Sequence, residues 1–212
     1  MAQIASAERH RDRERTRAEI LDVATREFAE HGYSGARVDE IAERIRTTKR
    51  MLYYYFGSKE GLYTEVLERA YAEIRAAEQA VDVEHLEPVA AIRRLAELTF
   101  DHHEAHPDFI RLVSIENIHR AEHMRGSGRF ADLNTPAIDR IARILERGRA
   151  DGTFTREADA VDVHMIISAY CVFRVANRYT WRKLFGRDLL DPRTREHYRT
   201  MLGDIVVDYL TG

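Results

Sequence analysis

The chain has 212 residues, with 33 Lys+Arg against 36 Asp+Glu, 44% hydrophobic residues, four prolines, eleven glycines and one cysteine. That length and apolar content build one large domain, or a small one joined to a larger one, and exclude a low-complexity or fibrous class. The lone Cys171 excludes an intrachain disulfide, and the longest apolar run, MIISAYCVF (165–173), is far short of the roughly 20 residues of a membrane span.

Charge is unevenly spread. Residues 1–61 carry 12 Lys+Arg against 11 Asp+Glu, and the remainder 21 against 25. The first part can approach a polyanion; the second has no such bias. A polar N-terminus without a signal peptide predicts a cytoplasmic protein with no membrane contact.

Residues 1–15 carry Arg9, Arg11, Arg13 and Arg15 without an apolar period. They predict a flexible basic arm, either reaching a minor groove or acting as a solubilising tail. Thr16 and Glu19 fit a capping box opening a first helix, in which Ile20, Ala24 and Phe28 repeat every four residues and His31-Gly32 is the stop. A second helix, roughly 38–45, buries Val38, Ile41, Ala42 and Ile45. A third, roughly 48–55, buries Leu52, Tyr53 and Phe56 before the Gly57-Ser58 break. The fourth keeps Leu62, Val66, Ala70 and Ile74 in register. Pro88 and Pro107 open the fifth and sixth, which run to about Ala105 and Ala121. A seventh passes through Ile138, Ile141 and Leu145 to Asp151-Gly152; an eighth covers about 158–184 and a ninth about 193–210. The pattern holds no useful strand alternation and no internal repeat. The fold class is all-α: a three-helix head over 16–61 in helix-turn-helix order, then a helical body over 62–212.

The head carries the chemistry. Residues 44–59, RIRTTKRMLYYYFGSK, hold five cations and four aromatics with no acid among them. On the second helix of a helix-turn-helix, such a run suits phosphates and base edges. Thr47, Thr48, Lys49, Arg50 and Met51 are the side chains available to a groove, with Lys49 or Arg50 donating to guanine and Met51 or a threonine methyl meeting thymine. The Tyr54 and Tyr55 hydroxyls suit phosphate oxygens, and Lys59 opens the fourth helix where the dipole favours an anion. Arg37, Arg46 and Tyr53 complete the candidate set for double-stranded DNA.

The stretch ILDVATREFAEHGYSGARVDEIAERIRTTKRMLYYYFGSKEGLY (20–63) resembles the DNA-binding domain of TetR-family transcriptional regulators, with Phe28, Gly32, Tyr33, Ile41-Ala42, Lys49, Leu52-Tyr53, Phe56, Lys59 and Leu62 on the family pattern. The resemblance implies a homodimer on a near-palindromic operator, repression of nearby genes, and release by a small-molecule effector. It also implies that Lys49 and Tyr54 touch backbone or bases and Lys59 a phosphate. Two positions depart from the pattern. Arg46 replaces the usual turn glycine, and Arg37 stands where a small hydroxyl residue often caps the second helix, leaving that cap missing or supplied by Ser34. The body, in HPDFIRLVSIENIHRAEH (106–123) and VDVHMIISAY (161–170), weakly resembles RutR-like members that answer to pyrimidines; no ligand is carried over from that.

Polar groups on apolar helices mark a candidate effector pocket: Phe100, His103, Phe109, Val113, Glu116, Asn117, Met165, Phe173, Arg174 and Asn177. The eighth helix is apolar on more than one face and must be covered, so the last two helices are the expected dimer interface, through Ile167, Tyr170, Cys171, Trp181, Ile205 and Tyr209. Glu116, His119 and His123, at i, i+3 and i+7, allow a second reading as a helical metallo-oxidase. That reading lacks the second Glu-x-x-His set of a di-iron bundle, so no metal, cofactor or catalytic residue is assigned and the chain is not expected to be an enzyme. A third reading is a DNA-binding activator that needs no ligand.

Overall fold

The computed structural model describes residues 2–212, with side chains from Arg11 onward. Among them it contains ten α-helices, two short 3-10 turns and no strand. Two compact units emerge. One comprises residues up to Ala70 together with Arg111–Ser127; the other comprises Tyr71–Ile110 and Gly128–Gly212.

The first unit is built on α1 (Ala2–Gly35), α2 (Val38–Arg44), α3 (Lys49–Phe56) and the first half of α4 (Lys59–Ala80). The expected stripe is buried: Ile20, Ala24 and Phe28 have no exposed surface, nor have Ile41, Tyr63 and Val66. Each large side chain so buried contributes about 1.5–3 kcal/mol. Phe28 meets Tyr63 edge-on at 4.8 Å between ring centres.

Four sequence expectations fail here. The helix begins at Ala2, where a flexible arm ending at residue 15 was expected, and Thr16 is not its cap; its hydroxyl donates back to the Asp12 carbonyl at 2.9 Å. The segment has no apolar period, but its alanines, glutamates and arginines favour the helix intrinsically, and Asp12 pairs with Arg15 one turn on at 3.2 Å. Tyr53 was expected inside; it is exposed. Gly32 does interrupt α1, at φ 69° and ψ 173°, a conformation that excludes a side chain, but one more helical turn follows to Gly35.

Glu27 was given no role, yet its carboxylate is wholly buried. Its Oε1 accepts the backbone N–H of Arg37 at 3.2 Å, holding from a different helix the residue that precedes α2, whose own side chain makes no cap. Its Oε2 lies 3.1 Å from the Arg44 guanidinium. Both ends of the short α2 are thus tied to α1.

The second unit contains the end of α4, α5 (Pro88–Ala105), α7 (Arg129–Ala150), α8 (Ala160–Ala176), α9 (Arg178–Phe185) and α10 (Arg195–Thr211). The α6 helix (Pro107–Ile118) is divided between the units and ends before the expected Ala121, because Arg120 and Ala121 turn left-handed. At the centre, α5 packs on α7, α8 and α10 around Ile92, Ala96, Phe100, Ile144, Val163, Leu202 and Val206. Arg199 and Arg195 of α10 pair with Glu97, Asp101 and Glu104 of α5 at 2.6–3.2 Å. Close approach fixes Gly148: a Cβ there would lie 2.1 Å from the Phe154 ring.

The single eighth helix expected over 158–184 is two. It breaks at Asn177, and α9 leaves α8 at 69°. Contacts from beyond the break hold the bend: Arg174 donates to the Leu189 carbonyl at 2.8 Å and Arg178 to Asp188 at 3.0 Å. No single helix among the described residues is long and apolar enough to cross a membrane.

Arg44→Ala should cost roughly 2 kcal/mol, below the 3–5 kcal/mol of a fully buried pair because Arg44 is half-exposed, while Glu27→Gln should cost about 1 kcal/mol. Denaturant titration followed by circular dichroism measures both. Equal costs would mean that the carboxylate is not the group needing its partner.

Candidate nucleic-acid interface and effector body

The turn between α2 and α3 is a Schellman closure. The Thr47 N–H reaches the Ala42 carbonyl at 2.9 Å and the Arg46 N–H that of Glu43 at 3.1 Å. Arg46 occupies the left-handed position at φ 53°, where glycine is favoured, so its side chain is held outward at a backbone cost of about 1 kcal/mol. Thr48 then caps α3, its hydroxyl oxygen accepting the Met51 N–H at 3.3 Å. With Leu52 and Phe56 facing in, Lys49, Arg50, Met51, Tyr53 and Tyr54 face out, Tyr54 being 65% exposed.

The cations are not equivalent. Arg44 is committed to Glu27. Lys49 Nζ lies 3.1 Å from Asp39, whose hydrogen bond and charge raise the lysine pKa. An exposed pair of this kind is weak, and a phosphate can displace it. Arg46 and Arg50 are exposed and have no ion-pair partner among the described residues. Lys59 Nζ stands 5.0 Å over the Tyr33 ring and donates to the Ser34 carbonyl at 3.5 Å; partial burial lowers its pKa. Ser34 therefore holds Lys59 rather than capping α2. Arg37 and Thr48 are exposed, while Thr47, Tyr55 and Lys59 are half-buried. Ser58 caps α4 through the Gly61 N–H at 3.0 Å.

The extended α1 adds a residue to this surface. The Arg13 guanidinium lies 5.6 Å from the Tyr54 ring centre and 5.8 Å from that of Tyr55, within cation–π range of both. The side chain of Arg9 lies outside the described residues.

The ten expected pocket residues divide between the two units, Val113, Glu116 and Asn117 in the first and the other seven in the second. Phe100, His103 and Phe109 are buried in the second unit. Arg174 is buried too, but is spent on structure: it stacks over Phe100 at 3.8 Å and binds Glu104 at 3.1 Å. Asn177 forms the α8–α9 break. Val113 is half-buried and Asn117 exposed, the latter donating to the Val113 carbonyl. Met165 and Phe173 do not line an interior at all, since they are 60% and 44% exposed.

Glu116 belongs to the first unit, where Oε1 lies 2.9 Å from His123 Nδ1 and the His123 ring packs on Tyr33 and Tyr63 at 4.1 and 5.0 Å. Burial, then the Glu116 charge, pushes the Tyr63 phenol well above its ordinary range. The i, i+3, i+7 reading of Glu116, His119 and His123 assumed a continuous helix, which ends at Ile118. His119 Nδ1 lies 2.9 Å from the Ile115 carbonyl, and among the described residues no group of three or more His, Cys, Asp or Glu is placed to hold a metal.

The interface residues also divide. Ile167 and Cys171 are 1% exposed and belong to the core, Cys171 with its thiol pushed up to about 12 by burial. Tyr170 donates its hydroxyl to the Tyr198 carbonyl at 3.0 Å. Tyr209 stacks with Arg156 at 4.8 Å. The exposed apolar residues of α8 are instead Val161, Met165 and Phe173, at steps of four and eight; Leu184 and Phe185 on α9 and Ile205 on α10 are exposed too. Trp181 lies 5.2 Å from Phe173 and 4.5 Å from Phe185.

Of a buried polar cluster in the second unit, sequence reasoning named only His103. Arg75 pairs with Glu78 at 2.7 Å, both nearly inaccessible. Around them stand His102, His103 and His164, which burial draws down to about 4, 3 and 4. Glu78 sits four residues after Ile74 on the buried side of α4, which was the available signal.

Residues 20–66 match the family model described as bacterial regulatory proteins, tetR family, and residues 88–206 match that of the tetracyclin repressor-like C-terminal domain. The chain is 32% identical to the HTH-type transcriptional repressor NicS of Pseudomonas putida over 92% of each chain. It is 36% identical to the HTH-type transcriptional regulator RutR of Escherichia coli over 46% of this chain and 45% of that one. A putative transcriptional regulator of Streptomyces coelicolor, SCO4942, has a similar structure: TM-score 0.69 at 28% identity, covering 92% of this chain and 98% of that one.

Arg46→Gly should raise stability by about 1 kcal/mol while weakening duplex binding several-fold, because it relieves the turn and removes a cation. Melting and fluorescence anisotropy read the two effects; unchanged duplex affinity would take Arg46 off the interface. The buried imidazoles give a second expectation. Below their ordinary pKa of 6.5 the unfolded chain takes up protons that the folded chain refuses until about pH 3–4, so acid favours unfolding. Stability is full above pH 6.5 and declines toward pH 4, and His103→Gln should flatten that decline in thermal midpoints. A midpoint constant between pH 6.5 and 4.5 would contradict the neutral burial of these rings.

Proposed function

The chain belongs to the TetR family of bacterial regulatory proteins, and from that premise we propose that it is a homodimeric, operator-binding transcriptional repressor released by a small-molecule effector. The observation that carries the reading is the outward face of α3 and the turn before it, where the guanidinium groups of Arg46 in the turn and Arg50 on the helix have no ion-pair partner among the described residues and stand with exposed Met51, Tyr53 and Tyr54. Arg50 and Lys49 serve guanine edges or phosphates, Tyr54, Tyr55 and Lys59 the backbone, and Arg37 and Arg13 the flanks. Thr47 and Thr48 are a methyl and a hydroxyl at the entry of the helix.

The apolar face of Val161, Met165 and Phe173, with Leu184 and Phe185, supports pairing with a second copy through α8 and α9. Two α3 helices in one dimer then meet successive major grooves about 34–36 Å apart. An effector that binds better to another spacing draws the dimer off the operator. The repressor reading is favoured over an activator by the relative NicS, named a repressor and covered over nearly its whole length.

Selection of bound duplexes from a random pool should return a near-palindrome. Arg50→Ala should weaken that duplex about 10–100-fold with helicity intact. Phe173→Glu should give a monomeric mass by light scattering and lose the palindrome. A chain that binds no duplex even in dilute salt sinks the reading.

A further inference from the structure

Helix α4 presents Tyr71, Arg75 and Glu78 on one face, at i, i+4 and i+7. Arg75 is only 6% exposed, and its Nε has no hydrogen-bond partner among the described residues. Arg140 of α7 binds the carbonyls of Glu78 and Val81, and its charge acts on the same Glu78 carboxylate. Glu78 thus answers Arg75 directly and also feels the charge of half-buried Arg140, and Arg75 itself lies where burial makes unanswered charge costly. The imidazoles nearby add nothing to the balance, because burial keeps them neutral and an imidazole has no anionic form to offer. His102, 8% exposed, also has a buried Nδ1 without a partner among the described residues.

The surrounding walls are flat. Tyr71 meets Phe109 edge-on at 5.3 Å and Phe130 at 5.7 Å, and His103 meets Phe109 at 5.5 Å. A cavity of about 20 Å³ lies between Glu78, Thr99, Arg140 and His164. That is room for about one water, so any larger occupant must part these side chains.

We propose that this cluster is the recognition end of the effector site and that the effector is a small aromatic carboxylate, its carboxylate on Arg75 and its ring among Tyr71, Phe109 and the imidazoles. The inference rests on the reading of an effector-released repressor and names its ligand class. A guanidinium fork matches two carboxylate oxygens. A cationic ligand would add a third positive charge, and a neutral one would leave the surplus unanswered.

Isothermal titration of the full chain with benzoate, phenylacetate and 4-hydroxybenzoate, each against its own amide, tests this. At least one acid should bind once per protomer and at least tenfold tighter than its amide. Arg75→Gln should weaken that acid at least tenfold. Glu78→Gln, which frees Arg75 from its present partner, should tighten it several-fold. A pair serving structure alone would lose the ligand in both variants, and that outcome overturns the proposal, as does equal binding of acids and amides or no binding of any acid. Duplex binding measured in parallel separates the two readings. Release of a selected duplex by neutral or cationic metabolites, with no response to acids, overturns the carboxylate and leaves the repressor. Acid binding with no duplex binding does the reverse.

Discussion

The head depends on one buried carboxylate. Helix α2 has seven residues, too few to persist alone, and its N-terminal residue offers no side-chain cap. Glu27 reaches it from α1, taking the Arg37 N–H at one end and drawing in Arg44 at the other. What α1 fixes in α2 is passed on through a tight turn to α3, and the placing of Arg46, Lys49 and Arg50 follows. A carboxylate was suited to this because it accepts an orphan amide and answers a cation at once, as an apolar side chain of similar volume cannot.

Much of this was legible in the sequence. Stripes such as Ile20, Ala24 and Phe28 declare themselves because a 3.6-residue period leaves only one face to bury. The basic-aromatic run from Arg44 to Lys59 was legible because its charge pattern and its helix are local. The N-terminal extension is helical without an apolar period, because intrinsic propensity and short-range pairs suffice there, and a hydrophobic stripe is not the signal that reveals it. The break at Asn177 had no local signal, since asparagine is tolerated within helices and the bend is held by Leu189 and Asp188.

Sites in the body were less legible for a related reason. Helix α8 is apolar nearly all round, so its composition does not say which face turns inward. Ile167 and Cys171 turned in; Val161, Met165 and Phe173 turned out. The polar cluster draws Arg75 and Glu78 from α4, His102 and His103 from α5 and His164 from α8. No single window of sequence contains it. Glu116, expected in a pocket or as a metal ligand, is instead partnered by a histidine brought back by two left-handed residues rather than by helical spacing.

The single thiol has a practical consequence. Cys171 is sealed in the core and its proton is held far above neutral pH, so the nucleophilic thiolate is scarce and reagents do not reach it. The wild-type chain is thus already blank to maleimide chemistry. An engineered cysteine at an exposed position of α3 or α9 would carry a fluorophore or spin label in sole possession of the molecule, and separations between two protomers become measurable with Cys171 left in place.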